Sequence, residues 1–163
     1  SHATAPVFNA YSMSGDGQHM AALQGDRLAI WVAGKKEPEF VFEPQEYGYF
    51  GMVMVGAQTI VAGNLDGELV LWQQGKAEAS KKVALSKAGA IVTGLAASPD
   101  GKRVFTAMKD GIVIFDAELN ELARLTELDA VPSCISVSAD GKSLMCGMAD
   151  STVLVFALDK ILK

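Results

Sequence analysis

Apolar residues occur along this chain in short runs of strand length, separated by tight polar turns. In the segment 91–125 the runs are interrupted at 98–102, 109–111 and 117–120, where Gly, Pro, Asp, Asn and Lys collect. Runs of four to eight residues bounded by such residues indicate β-strands and turns. The segment therefore predicts four short strands joined by three turns. No segment of the chain shows a convincing helical period.

The same arrangement recurs along the chain. A turn of the form Ser-x-Asp-Gly appears at 14–17, 98–101 and 138–141, and Asp-Gly suits a type I turn followed by a left-handed glycine. Acidic residues recur at intervals of 40, 44 and 40 residues, and a large aromatic residue follows each by five or six positions. The acidic residues are Asp26, Asp66, Asp110 and Asp150, and the aromatic residues are Trp31, Trp72, Phe115 and Phe156.

A fixed period of about 40 residues is the signature of a repeat architecture. We interpret the chain 1–163 as a single all-β domain of four repeats, each a sheet of four antiparallel strands called a, b, c and d. The repeats span roughly 7–43, 48–85, 91–126 and 132–163. The last strand d is predicted at 160–162, with 3–8 as a candidate replacement. The four aromatic residues are predicted to fill equivalent buried places between neighbouring sheets.

Composition narrows the function classes. Half of the residues are hydrophobic and the net charge is −5, which indicates a globular chain and argues against nucleic-acid or anionic-membrane partners. No apolar run reaches transmembrane length, and the N-terminus lacks the pattern of a signal peptide. Two cysteines do not make a disulfide framework, so we expect an intracellular, cytoplasmic protein.

These features resemble the WD40-type β-propeller family. The period, the four strands per unit, the Asp of the b–c turn and the aromatic residue that ends strand c all match. No unit opens with Gly-His, Phe115-Asp116 is the one aromatic-Asp pair, and most of the family's Asp-His-Ser/Thr-Trp hydrogen-bond network is absent. The resemblance implies propeller blades and a non-catalytic scaffold that binds protein or peptide partners through loops on its top face.

Four blades are about half of a usual ring of this family. An open arc leaves two apolar sheet faces in water, which is costly. We therefore expect a homo-oligomer, a partner chain or a longer parent protein to complete the ring, and we disfavour a cramped four-blade closure. A purely structural half-propeller within a larger assembly is the alternative function.

Candidate partner-binding residues lie on loops of the predicted top face. Tyr47, Tyr49 and Phe50 form an aromatic cluster on the connection into the second unit, and Tyr is a favoured hot-spot residue. Arg27 and Lys109 on b–c turns would flank the same face. The alternatives are that Phe50 and one Tyr pack between blades, and that both cations are simply solvated.

No pattern predicts a catalytic residue, a metal site or a cofactor. Pairing of residue 138 with 142 would place Cys134 opposite Cys146, either as a redox pair or half a metal site, or as two reduced buried thiols. His19 has no Ser or Cys at a recognisable spacing. A propeller hydrolase or lactonase needs acidic or His residues at the tops of the a strands, where this chain mainly has Gly, Ala, Val and Ser, so we predict no enzyme.

Overall fold

The structure, a computed structural model, describes residues 10–24, 27–42, 49–64, 66–85 and 91–162, with the side chain of Phe50 excluded. Within them the chain forms four antiparallel sheets whose strands follow chain order. Sheet 1 contains β1 (Ala10–Met13), β2 (His19–Gln24), β3 (Arg27–Val32) and β4 (Phe40–Val41). Sheet 2 contains β5 (Tyr49–Val55), β6 (Thr59–Asn64), β7 (Glu68–Gln73) and β8 (Lys81–Ala84).

Sheets 3 and 4 continue the same order. Sheet 3 contains β9 (Val92–Ala97), β10 (Arg103–Met108), β11 (Gly111–Asp116) and β12 (Glu121–Leu125). Sheet 4 contains β13 (Pro132–Val137), β14 (Ser143–Met148) and β15 (Val153–Ala157), and helix α1 (Leu158–Ile161) follows. The predicted all-β architecture of four repeated sheets is therefore confirmed.

The end of sheet 4 differs from the prediction. Residues 160–162, predicted as a fourth strand, lie in and just after helix α1, so the described part of sheet 4 has three strands. The Leu158 N–H donates to the carbonyl of Lys142 at 2.8 Å, which turns the chain back over the a–b turn. Leu158 is buried between sheets 3 and 4, and this apolar contact favours a helical turn over a solvated edge strand. The segment 3–8 lies outside the described residues.

The Ser-x-Asp-Gly turns form as predicted. In the turn at 98–101 the Gly101 N–H donates to the Ser98 carbonyl at 2.9 Å, and Gly101 takes a left-handed φ of 67°. The Ser98 hydroxyl donates to Asp100 Oδ1 at 2.6 Å and accepts from the Arg103 N–H at 2.9 Å. Each side chain thus satisfies the backbone of the hairpin that it closes.

The core lies in three layers, one between each pair of successive sheets. Each layer joins one face of a sheet, which we call its front face, to the rear face of the next sheet along the chain. Trp72, Phe115 and Phe156 lie on rear faces and contact the preceding sheet. By register, Trp31 pairs with Met20 as Trp72 pairs with Ile60, so Trp31 lies on the rear face of sheet 1.

The prediction that all four aromatic residues are buried was wrong for two of them. Trp72 and Phe115 are buried, whereas Trp31 and Phe156 are half-buried. No described sheet precedes the rear face of Trp31. Phe156 does pack on sheet 3, but the described part of its own sheet lacks the fourth strand that would cover its outer side.

The a strands of successive sheets lie next to one another in the centre of the molecule, where small residues permit close approach. Sheets 1 and 2 are joined there by the Met54 N–H, which donates to Ser12 Oγ at 2.9 Å. A Cβ at Gly94 would lie only 3.2 Å from the backbone nitrogen of Ile135 on sheet 4. The a–b turns also meet: a Cβ at Gly15 would clash with the carbonyl oxygen of Pro99, two sheets away.

Candidate interaction site

The meander order of the strands sorts the loops to two ends of the sheets. The a–b and c–d turns lie at one end, and the b–c turns and the connections between sheets lie at the other, which we call the b–c end. Residues 25–26, 43–48, 65 and 86–90 fall outside the described residues. The predicted top face corresponds to this b–c end.

Two of the predicted site residues are exposed cations at the b–c end. Arg27 is the first residue of β3, and Lys109 lies in the turn between β10 and β11. Neither makes an ion pair with any described residue. Lys81 on sheet 2 is different, because its Nζ donates to the Glu118 carbonyl at 2.8 Å and to Asn120 Oδ1 at 3.0 Å.

Polar side chains close two of the turns at the b–c end. Asp150 Oδ1 accepts from the hydroxyl of Thr152 at 2.6 Å and from its N–H at 3.0 Å, and these bonds hold the pKa of Asp150 below its ordinary value. In sheet 2, Asn64 caps the turn by accepting from the N–H groups of Asp66 and Glu68. Asp66 and Asp150 are exposed, so the b–c end presents both cations and anions.

Of the predicted aromatic cluster, the structure describes the side chain of Tyr49. Tyr49 begins β5 and is buried, with its ring edge-on to Trp72 at a centroid distance of 5.2 Å. The alternative that one Tyr packs between sheets therefore describes Tyr49. Tyr47 and the side chain of Phe50 lie outside the described residues.

Sequence reasoning missed a groove at the opposite end. Arg103, Lys142, Leu158 and Asp159 line a cavity of about 590 Å³ between sheet 3, the turn 138–142 and α1. The groove exists because α1 folds back toward the turn. The signal in the sequence is the apolar spacing within 158–162, of which residues 160–162 are predicted above as a strand.

The cysteines do not face each other as predicted. Ser138 pairs with Ser143, not with Lys142, so Ile135 faces Cys146 and Cys134 faces Gly147. The turn holds one more residue than assumed, and a shift of one residue moves a side chain to the other face of a sheet. Cys146 is buried and Cys134 is exposed, and neither is in a disulfide.

Burial, and then the neighbouring Cys134, raise the pKa of the Cys146 thiol. A raised pKa keeps the thiol protonated and unreactive near neutral pH.

Other candidate chemistry is sparse in the described part of the chain. No group of three or more His, Cys, Asp or Glu side chains there is arranged to hold a metal ion. His19 is half-buried, and its Nδ1 has no hydrogen-bond partner among the described residues. Among those residues no helix has the length and apolar character needed to cross a membrane.

Comparison with known proteins places one repeat in a family. The model of the WD domain, G-beta repeat (WD40) matches residues 82–115, from the outer strand β8 of sheet 2 to Phe115 on β11 of sheet 3. A search of curated proteins found no match. Residues 82–115 are therefore similar to a WD40 repeat, and the four sheets of the described residues are consistent with WD40-type blades.

Proposed function

We propose that the chain is a non-catalytic protein-interaction scaffold of WD40 type, which binds a protein or peptide partner through loops at its b–c end. The WD40 repeat favours a scaffold. The observation that carries the proposal is the exposure of Arg27 and Lys109 at this end, where no described side chain pairs with them. Exposed cations without an ion pair among the described residues suit an acidic surface of a protein or peptide partner.

The proposed site consists of Arg27, Lys109, Tyr47 and Phe50. Tyr49 packs on Trp72, so its proposed role is to support the site from the core. We propose cytoplasmic localisation and no nucleic-acid or membrane partner, in line with the net charge of −5. The same blades serve as a structural segment if their end faces are covered in a larger assembly.

The test is affinity capture with charge-reversed variants. The immobilised chain carrying Arg27→Glu and Lys109→Glu is compared with wild type and with Lys35→Glu, Lys36→Glu. The control pair is also exposed but lies in the c–d turn of sheet 1, at the opposite end.

Proteins that wild type and the control retain should be lost from the b–c variant, with unchanged melting temperatures. Equal retention by all three forms would refute the proposed site. A bound set that depended on the control lysines would move the site to the other end of the sheets.

A further inference from the structure

Arg103 is a half-buried cation whose guanidinium forms no ion pair or hydrogen bond with the residues that the structure describes. It begins β10, and only its backbone N–H is engaged, by Ser98 Oγ at 2.9 Å. The other b strands begin with His19, Thr59 and Ser143, so the repeat does not require a fixed positive charge at this place. A cation that is partly withdrawn from water without a counter-ion is unusual in a folded chain.

Two cavities meet at Arg103. One is the groove of about 590 Å³ described above, between sheet 3, the turn 138–142 and α1. The other, of about 580 Å³, is lined by Arg103, Leu122, Ile161 and Leu162. Because Arg103 and Leu162 line both, the two cavities form one channel on the surface, which we call the Arg103 groove.

The Arg103 groove has an apolar wall beside its cation. Leu122 on β12 exposes 49% of its surface, and Ile161 and Leu162 are half-buried. An exposed large apolar side chain next to a half-buried charge is the combination that marks a binding groove more than a solvated face.

The rim of the groove carries charges of both signs. Lys142 and Asp159 are exposed, and neither forms an ion pair with a described residue. Asp100 and Asp140 lie in the adjoining turns, where the carboxylate of each is bonded to a serine hydroxyl and a backbone N–H. Arg103 is thus left as the central cation of the groove, with Asp159 as an anion at the rim.

We propose that the Arg103 groove binds an extended peptide segment of a partner protein, in which an acidic residue lies between apolar residues and a basic residue is close by. The carboxylate pairs with Arg103, whose planar guanidinium offers two parallel N–H donors that match a carboxylate. The apolar side chains cover Leu122 and Leu162, and the basic residue faces Asp159.

The shape of the groove favours a peptide over a small molecule. Sites for small molecules enclose most of the ligand surface. Leu122, Lys142 and Asp159 are all exposed along the groove, so its walls are shallow, and an elongated ligand is needed to reach both cavities. The groove lies at the end opposite the b–c end, so this proposal and the proposed function stand or fall independently.

The test begins with an array of synthetic hexapeptides in which one Glu, one Lys and two Leu take every order among Ser spacers. The peptide that wild type binds most strongly is labelled with fluorescein and titrated by fluorescence anisotropy. Arg103→Met, which keeps the length and removes the charge, should weaken binding by about tenfold or more. Leu122→Ser should also weaken it, whereas Lys36→Met, an exposed cation in the c–d turn of sheet 1, should bind like wild type.

Both groove variants should fold, because the Arg103 guanidinium has no described hydrogen bond and Leu122 is exposed; equal melting temperatures check this. A charge exchange provides a readout that a structural role would not change: Arg103→Glu should prefer the peptide in which Lys replaces Glu. The proposal is overturned if wild type binds no peptide of the array more tightly than about 1 mM, or if Arg103→Met binds like wild type. Displacement of the peptide by octanoate of equal affinity would overturn it too, since a small apolar carboxylate would then be the ligand.

Discussion

At the scale of single residues, four aromatic side chains that occupy equivalent positions in the repeats differ in how deeply they are buried. Trp72 and Phe115 fill layers between two sheets of the described chain, whereas Trp31 and Phe156 belong to the first and last sheets. The cost of removing a side chain depends on the cavity left behind and on the surface already in water.

We expect Trp72→Ala and Phe115→Ala each to lower the free energy of unfolding by about 3–5 kcal/mol. Trp31→Ala should lower the free energy of unfolding of the monomer by less than about 2 kcal/mol. The side chain is half-buried, and its hydrophobic contribution is proportional to the area that it buries. Urea denaturation of the variants at one low protein concentration measures both. Equal losses for Trp31 and Trp72 would contradict the difference in burial.

The thiols provide a second residue-scale prediction. Cys134 is exposed, whereas Cys146 is buried and its pKa is raised. A thiol reagent at neutral pH should modify one cysteine quickly in the folded protein and the second only after denaturation. The Cys134→Ser variant should lose the fast reaction, and fast loss of both thiols in folded protein would contradict the register found for β13 and β14.

At the scale of elements, the a–b turns hold the sheets together at the centre. Gly101 has a left-handed φ of 67°, and a Cβ there would lie 2.7 Å from the backbone nitrogen of Gly56 on sheet 2. Gly34 is also left-handed, at 79°, but open space surrounds it. Substitution of the two glycines therefore distinguishes the cost of left-handed backbone from the cost of disturbing a contact between sheets.

Gly34→Ala should destabilise the fold by about 1–2 kcal/mol, the usual cost of left-handed backbone for a residue with a Cβ. Gly101→Ala should destabilise the fold by clearly more than Gly34→Ala, because the new methyl group also pushes the turns of sheets 2 and 3 apart. Thermal melting of both variants provides the comparison. Equal losses would show that the two turns do not touch.

The same turn predicts a dependence on pH. The hydroxyl of Ser98, followed by the N–H of Lys102, holds the pKa of Asp100 below its ordinary value of 3.8. A carboxylate with a lowered pKa in the folded state stabilises the fold above about pH 3.8, and this contribution is lost as the pH falls through the lowered pKa.

In the Ser98→Ala variant the pKa of Asp100, measured by NMR titration, should therefore rise toward 3.8. Asp140 forms the same bond with Ser138 and provides an internal control, since its pKa should stay low in this variant. An unchanged pKa of Asp100 in this variant would mean that the Ser98 hydroxyl does not stabilise the carboxylate.

At the scale of the whole molecule, stacked sheets that contact mainly their neighbours should differ in local stability. Strands β6, β7, β10 and β11 lie in sheets covered on both faces, whereas β15 has a paired strand on one side and a bare front face.

Hydrogen exchange should show the strongest protection in the central strands and the weakest in β15. Uniform protection across all four sheets would contradict the difference in burial between the central sheets and β15.

Local pattern in the sequence determined the elements of this fold. Alternating apolar runs and Asp-Gly turns depend on neighbours a few residues apart, so strands, turns and the four-fold repeat could be predicted, including the left-handed Gly17, Gly101 and Gly141. Strand c could also be aligned between repeats, because each aromatic residue stands at the same place in its own hairpin.

Tertiary structure decided what each residue does. Burial of Tyr49 beside Trp72 depends on packing against sheet 1, and the return of α1 over the turn 138–142 depends on an apolar pocket between sheets 3 and 4. The register of Cys134 and Cys146 followed from one additional turn residue, and the exposure of Val155 followed from its place in the last sheet. These properties arise from contacts between segments distant in the chain, which a repeating local pattern does not encode.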